Sequence, residues 1–147
     1  MPKAAYNGVS LTESTKIGYV SYVERYRSGT DSDGNPQYRN ASYQTDAKIT
    51  GNVNASSNVY INGSPAVTVG DSTTEQWTAD PAPYAHNGGT ITSISPGTSG
   101  SGSGTVTIGS SNVFVNGKPL AYEGSTVTTH LGNTTTIAEG SNNVFVN

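Results

Sequence analysis

The stretch SSNVFVNGKPLAYEGS, residues 110 to 125, decides the reading of this chain, because SSNVYINGSPAVTVGD at 56 to 71 is nearly the same phrase. A third version, GSNNVFVN at 140 to 147, carries only the first half. In each repeat a run of alternating character lies between asparagines: Asn58 to Asn62, Asn112 to Asn116 and Asn143 to Asn147. Their β-branched and aromatic centres predict a short strand. Asn62-Gly63 and Asn116-Gly117 then supply the dipeptide that a type I′ hairpin turn demands, since both of its central residues need positive φ. Pro65 and Pro119 follow two residues later, at the start of return strands that reach Gly70 and Gly124. Two repeats are therefore predicted as β-hairpins, and the third ends before its turn. The three asparagines Asn58, Asn112 and Asn143 are spaced 54 and 31 residues apart, so this is no solenoid of fixed period.

Composition sets the limits around that core. A chain of 147 residues encloses one modest hydrophobic core. Hydrophobic residues make up 32%, with 18 Gly and 7 Pro, which favours a turn-rich β-fold with a thin interior over long helices. Only 12% of residues are charged, too few for disorder driven by self-repulsion. The net charge of −3 and only seven basic residues exclude a nucleic-acid footprint. Without cysteine, no disulfide contributes to stability. The opening MPKAAYNGVS lacks the apolar run of a secretory signal, so the expectation is a protein made in the cytoplasm without a signal peptide.

Along the chain, residues 1–49 read as an N-terminal β extension and 50–147 as the repeat domain. In the extension Ile17, Tyr19, Ser21 and Val23 alternate with Gly18, Val20, Tyr22 and Glu24, which predicts a strand with apolar residues on both faces. SGTDSDGNP at 28 to 36 is a turn, and GTSGSGSG at 97 to 104 has the composition of a flexible loop.

No catalytic constellation is evident, and the expectation is a non-enzyme without a small-molecule substrate. There is no nucleophile elbow, no HExxH, and no Lys-Ser or Lys-Thr after the Gly-rich run to make a phosphate loop. Asp31 and Asp33 lie in a calcium-loop-like DSDGNP, but the later bidentate Glu is missing, so a polar turn accounts for them. Trp77 is expected to be buried under loops rather than to stack on sugar.

The repeated pattern resembles the PAAR-repeat family. The matching residues are Ser57, Val59, Ile61, Asn62, Gly63, Pro65, Ala66, Gly70 and Asp71, then Gly109, Ser110, Val113, Val115, Asn116, Gly117, Pro119, Ala121 and Gly124, and finally Ile137 through Val146. The namesake Pro-Ala-Ala-Arg reads Pro65-Ala66-Val67-Thr68 and Pro119-Leu120-Ala121-Tyr122, which marks a divergent member. The resemblance implies an all-β, small conical or pointed structure built from three related hairpin repeats. It implies a structural spike-tip protein, one per trimeric β-helical spike or hub, at the baseplate of a phage tail or the tip of an injection machine, where it meets the target cell envelope transiently. Docking on the spike falls to Val59, Ile61, Val113, Val115, Val144 and Val146. The rival reading is a carbohydrate-binding or adhesive β-module, suggested by the Ser/Thr/Asn/Gly-rich surface and the clustered tyrosines.

The same resemblance implies one zinc or iron ion at the apex, where a thin core needs a pin. His86, in PYAHNGGTI, and His130, in TVTTHLGNTTTI, are the only histidines and the candidate ligands, with Glu75 or Asp80 as helper. Read as residues alone, each histidine lies in a polar loop and would face solvent.

Overall fold

The computed structural model describes all 147 residues, and the backbone contains no helix. Twelve strands run in the order β1 (Ser14–Thr30), β2 (Pro36–Val53), β3 (Tyr60–Ile61), β4 (Ser64–Pro65), β5 (Thr73–Asp80) and β6 (Thr90–Ser95). They continue with β7 (Ser99–Gly102), β8 (Thr105–Val106), β9 (Phe114–Val115), β10 (Lys118–Pro119), β11 (Thr126–Thr128) and β12 (Thr134–Thr136). The chain folds as two compact units: Met1–Ser14 with Ile49–Gln76 and Ser101–Asn147, and Thr15–Lys48 with Trp77–Gly100.

In the first unit the two predicted hairpins form as β3/β4 and β9/β10, with Tyr60 opposite Pro65 and Phe114 opposite Pro119. Their turns have φ of 52° at both Asn62 and Asn116 and 88° and 80° at Gly63 and Gly117, the left-handed pair that the sequence predicted. The third repeat is completed by the start of the chain. Phe145 pairs with Lys3, the Ala4 N–H donates to the Val144 carbonyl (2.9 Å), and the Val146 N–H donates to the Pro2 carbonyl (2.8 Å). The equivalent donors in the other repeats are Ala66 to Val59 and Leu120 to Val113. Residues 2–11 thus take the return-strand positions that β4 and β10 begin.

Backbone hydrogen bonds make the threefold relation explicit. Ala5 N–H donates to Ala121, Ala121 to Val67, and Val67 back to Ala5, at 3.0, 2.8 and 3.1 Å, closing a ring of three. A second ring runs through Asn7 to Pro65, Val69 to Pro119 and Glu123 to Lys3. Gly8, Gly70 and Gly124 then each turn at φ of 92° to 99° and donate to Val53, Val106 and Ile137. A side chain there would have to enter a region that L-residues reach only at a cost.

This cyclic pairing explains how a chain with few hydrophobic residues acquires a core. Ala5, Val67 and Ala121 meet Val53, Val106 and Ile137 in one buried cluster, completed by Val9, Leu11 and Val127. Ala4, Ala66 and Leu120 meet Ile61, Val115 and Val146 in a second. Small and branched residues alternate so that three backbones approach closely around one interior, which is how thin cores reach native packing density.

The second unit holds most of a five-stranded sheet in the order β6-β1-β2-β5-β7. β1 and β6 are antiparallel, with a shift in register between Val23 and Glu24. On β5 every second residue is buried, from Thr73 and Glu75 to Trp77 and Ala79. The Trp77 ring meets Tyr19 edge-on at 5.1 Å between centroids.

Two expectations about organisation change. Residues 1–14 fold with the repeats, so the first unit does not begin at residue 50. The segment 97–104, expected as a flexible loop, contains β7 and leads directly into β8. Its glycines serve close approach: a Cβ on Gly100 would lie 2.5 Å from the Trp77 indole nitrogen, and one on Gly102 2.3 Å from the His130 ring. Composition alone suggested mobility, whereas here glycine makes room for large side chains.

Candidate docking surface and the two histidines

Strand alternation sorts the repeat residues into two sets. Ile61, Val115 and Val146 point inward and are 5%, 7% and 1% exposed. Their neighbours Tyr60, Phe114 and Phe145 point outward and are 62%, 55% and 47% exposed. These three occupy the same position of the three repeats, each one residue before the inward aliphatic. Of the six residues expected to dock a partner, Ile61, Val115 and Val146 therefore lie in the core of the first unit. Val113 and Val144 are half-buried against that core, and only Val59 is exposed. The period-2 pleat is the reason: a residue that closes the interior cannot also face a partner.

The turns are tied from repeat to repeat. Asn62 Nδ2 donates to Asn143 Oδ1 (2.7 Å) and to Ser141 Oγ (2.9 Å), and Asn116 Nδ2 donates to Asn58 Oδ1 (2.9 Å). Ser110 Oγ accepts the N–H of Asn112 and Val113 and donates to the Asn147 carbonyl at 2.6 Å. Side chains that bind both a turn and a neighbouring repeat hold the three outward aromatics on a rigid frame.

The two histidines lie in different units, each in its own environment. In the second unit His86 Nε2 is 2.7 Å from the Tyr22 hydroxyl, and its ring stacks on Tyr43 at 3.9 Å and on Tyr84 at 4.0 Å. Burial, then the neighbouring Tyr84 and Tyr43, push the Tyr22 phenol above its usual value. Beside it Glu24 is wholly buried, and its carboxylate accepts the backbone N–H of His86, Asn87 and Gly89 together with the Asn87 amide, at 2.8 to 3.1 Å. Burial alone would push the Glu24 carboxyl up. The donors from Gly89, Asn87 and His86 outweigh burial and hold it below the usual carboxylate value.

In the first unit His130 Nδ1 lies 2.6 Å from Glu75 Oε1, and the His130 backbone N–H donates to the same oxygen at 2.9 Å. Thr73 Oγ1 donates to the other Glu75 oxygen and accepts from the Gly104 N–H at 2.7 Å. Both Glu75 oxygens are thus engaged within the same unit, one by Thr73 and the other by the backbone and ring of His130. His130 Nε2 is buried without a partner. Asp80, the other expected helper, pairs with Lys48 at 2.7 Å in the second unit.

The structure thus brings Glu75 to His130 and brings no further ligand to either histidine. No group of three or more His, Cys, Asp or Glu side chains converges anywhere in the chain. A closed tetrahedral metal site does not fit these residues, because it needs four ligands and neither histidine has the company to provide them.

The family model for the PAAR motif matches residues 96–147. The chain carries a PAAR motif. The matched stretch spans the second hairpin and the outgoing strand of the third repeat. The paired backbone of residues 57–70 and 2–8 repeats the geometry of the PAAR segment outside the match. No curated protein and no solved structure matches the chain. Sequence reasoning missed the outward aromatics and the third return strand. Both had a signal: Ala5-Tyr6-Asn7-Gly8 parallels Ala121-Tyr122-Glu123-Gly124, and the aromatics alternate with the predicted core residues.

Proposed function

We propose that this protein is a non-enzymatic spike-tip protein of a contractile injection machine, such as a phage tail, and caps a trimeric spike with one copy per trimer. The observation that carries this reading is the threefold closure of the first unit. Three repeats of one chain pair cyclically and present Tyr60, Phe114 and Phe145 at equivalent positions. A partner built from three identical chains offers three identical patches about its axis, and a single chain meets all three only if it repeats itself three times. Aromatic residues that stay exposed on a rigid frame are suited to such contacts.

On this reading the buried polar groups are structural. Glu75, Glu24 and the repeat asparagines each bind backbone or neighbouring side chains, which stiffens a small β-structure that must carry force along the spike axis. The PAAR motif supports association with a spike of this kind.

The experiment is capture of the purified trimeric spike by wild-type protein and by the triple variant Tyr60→Ser, Phe114→Ser, Phe145→Ser. Wild type should bind at one copy per trimer and the triple variant at least about tenfold more weakly, with its thermal unfolding little changed because the three side chains are exposed. Equal binding by the variant would sink the docking face. Binding to glycans by the isolated protein, without spike binding, would favour an adhesive module.

A further inference from the structure

We infer that this PAAR protein holds its 84–89 segment without a metal ion, the buried Glu24 carboxylate providing the pin that a metal would otherwise supply. The inference rests on what the residues of that segment are doing. A bound metal would need converging side-chain lone pairs, and this segment offers a single histidine whose Nε2 already meets the Tyr22 hydroxyl. The ring faces of that histidine are taken by Tyr43 and Tyr84. His130, in the other unit, holds Glu75 through Nδ1 and has no second ligand beside it.

The local backbone is organised around an anion instead. The N–H groups of His86, Asn87 and Gly89 all aim at the two oxygens of Glu24, and the Asn87 side chain adds a fourth donor before passing on to the Tyr43 hydroxyl at 2.9 Å. Successive amides converging on one point make a concave cradle for negative charge. Here the charge is internal, so the chain closes its own cradle. Gly89 lets the loop press onto β1: a Cβ there would lie 2.2 Å from the Arg25 carbonyl oxygen. The register shift on β1 between Val23 and Glu24 is the kind of irregularity that re-aims a side chain, and it falls at the pinning residue.

A carboxylate pinned by four donors and a metal pinned by histidines predict opposite responses to chelation. The test is elemental analysis of protein purified without chelator, joined to thermal unfolding with and without EDTA, on wild type, Glu24→Gln, His86→Ala and His130→Ala. Hydrogen exchange of the amides of residues 86, 87 and 89 is followed in parallel. The expected result is far less than one metal per chain and a melting temperature unmoved by EDTA. Glu24→Gln should lower the melting temperature by about 5 °C or more and lose protection at those three amides. Should that variant fail to fold, the wild-type protein still decides: the three amides should be protected in metal-free protein, and their protection should be unchanged by EDTA. About one zinc or iron per chain, lost in His86→Ala or His130→Ala together with thermal stability, would overturn the inference. So would unchanged protection in folded Glu24→Gln. Neither outcome touches the spike-docking reading, which is tested by capture of the trimer and does not depend on residues 84–89.

Discussion

At the scale of single residues, glycines and one carboxylate carry most of the specificity. Gly102 is the clearest case, because its Cα lies against the His130 ring and a Cβ would overlap it at 2.3 Å. We expect Gly102→Ala to cost about 2 kcal/mol or more by overpacking, whereas Gly29→Ala, with open space around its Cβ, should stay within about 0.5 kcal/mol of wild type. Denaturant unfolding of the two variants is the measurement. Glu24 makes a different kind of prediction. Its carboxyl is held below the usual value in the folded protein, so its contribution to stability is present above the unfolded-state value of about 4.3 and fades as pH falls through the folded value. Melting temperatures measured against pH should therefore drop below about pH 4 in wild type. Glu24→Gln should start lower at neutral pH and show a shallower acid slope.

At the scale of elements, the repeat hairpins and their missing partner define what can be changed. Asn116 has φ of 52° and bonds across to Asn58, so it serves both the turn and the contact between repeats. Asn116→Ala should cost about 1 to 2 kcal/mol, since alanine is disfavoured in the left-handed region, and Asn116→Gly should recover part of that loss. The pairing of residues 2–11 with the third repeat gives a stronger test. Deleting residues 2–8 removes Ala4 and Ala5, both wholly buried, and opens both backbone rings. The first unit should then unfold at a much lower denaturant concentration, and hydrogen exchange should show lost protection at Val67, Glu123 and Ser141, whose acceptors are the Ala5, Lys3 and Ala4 carbonyls. An unchanged unfolding midpoint would mean that this strand contributes nothing.

At the scale of the whole molecule, the sequence disclosed the hairpins in full, because Asn-Gly turns and period-2 strands are local features written within about ten residues. It also disclosed the all-β class and the PAAR motif, both of which follow from that repetition. Of the expected docking residues only Val59 is exposed: the pleat turns Ile61, Val115 and Val146 into the core and leaves Tyr60, Phe114 and Phe145 outside. Which face is inward depends on what the strand packs against, and a short strand of apolar residues does not state it. Glu75 was expected only as a helper, with Asp80 as the alternative, to a metal between the two histidines. Its contact with His130 and the assignment of His86 to the other unit were not legible, because residues 15–48 and 77–100 fold together across a long gap in sequence.

The sequence by itself determined the turns, the short strands and the number of repeats, since each depends on φ preferences and alternation within one segment. Only the tertiary structure decided that the third repeat is closed by residues 2–11 and that the Gly-Ser run at 99–102 is a strand. It also decided that Glu24 is the centre of a polar cradle. All three depend on pairing and packing between residues far apart in the chain, where the partner's position, and not local propensity, sets the outcome.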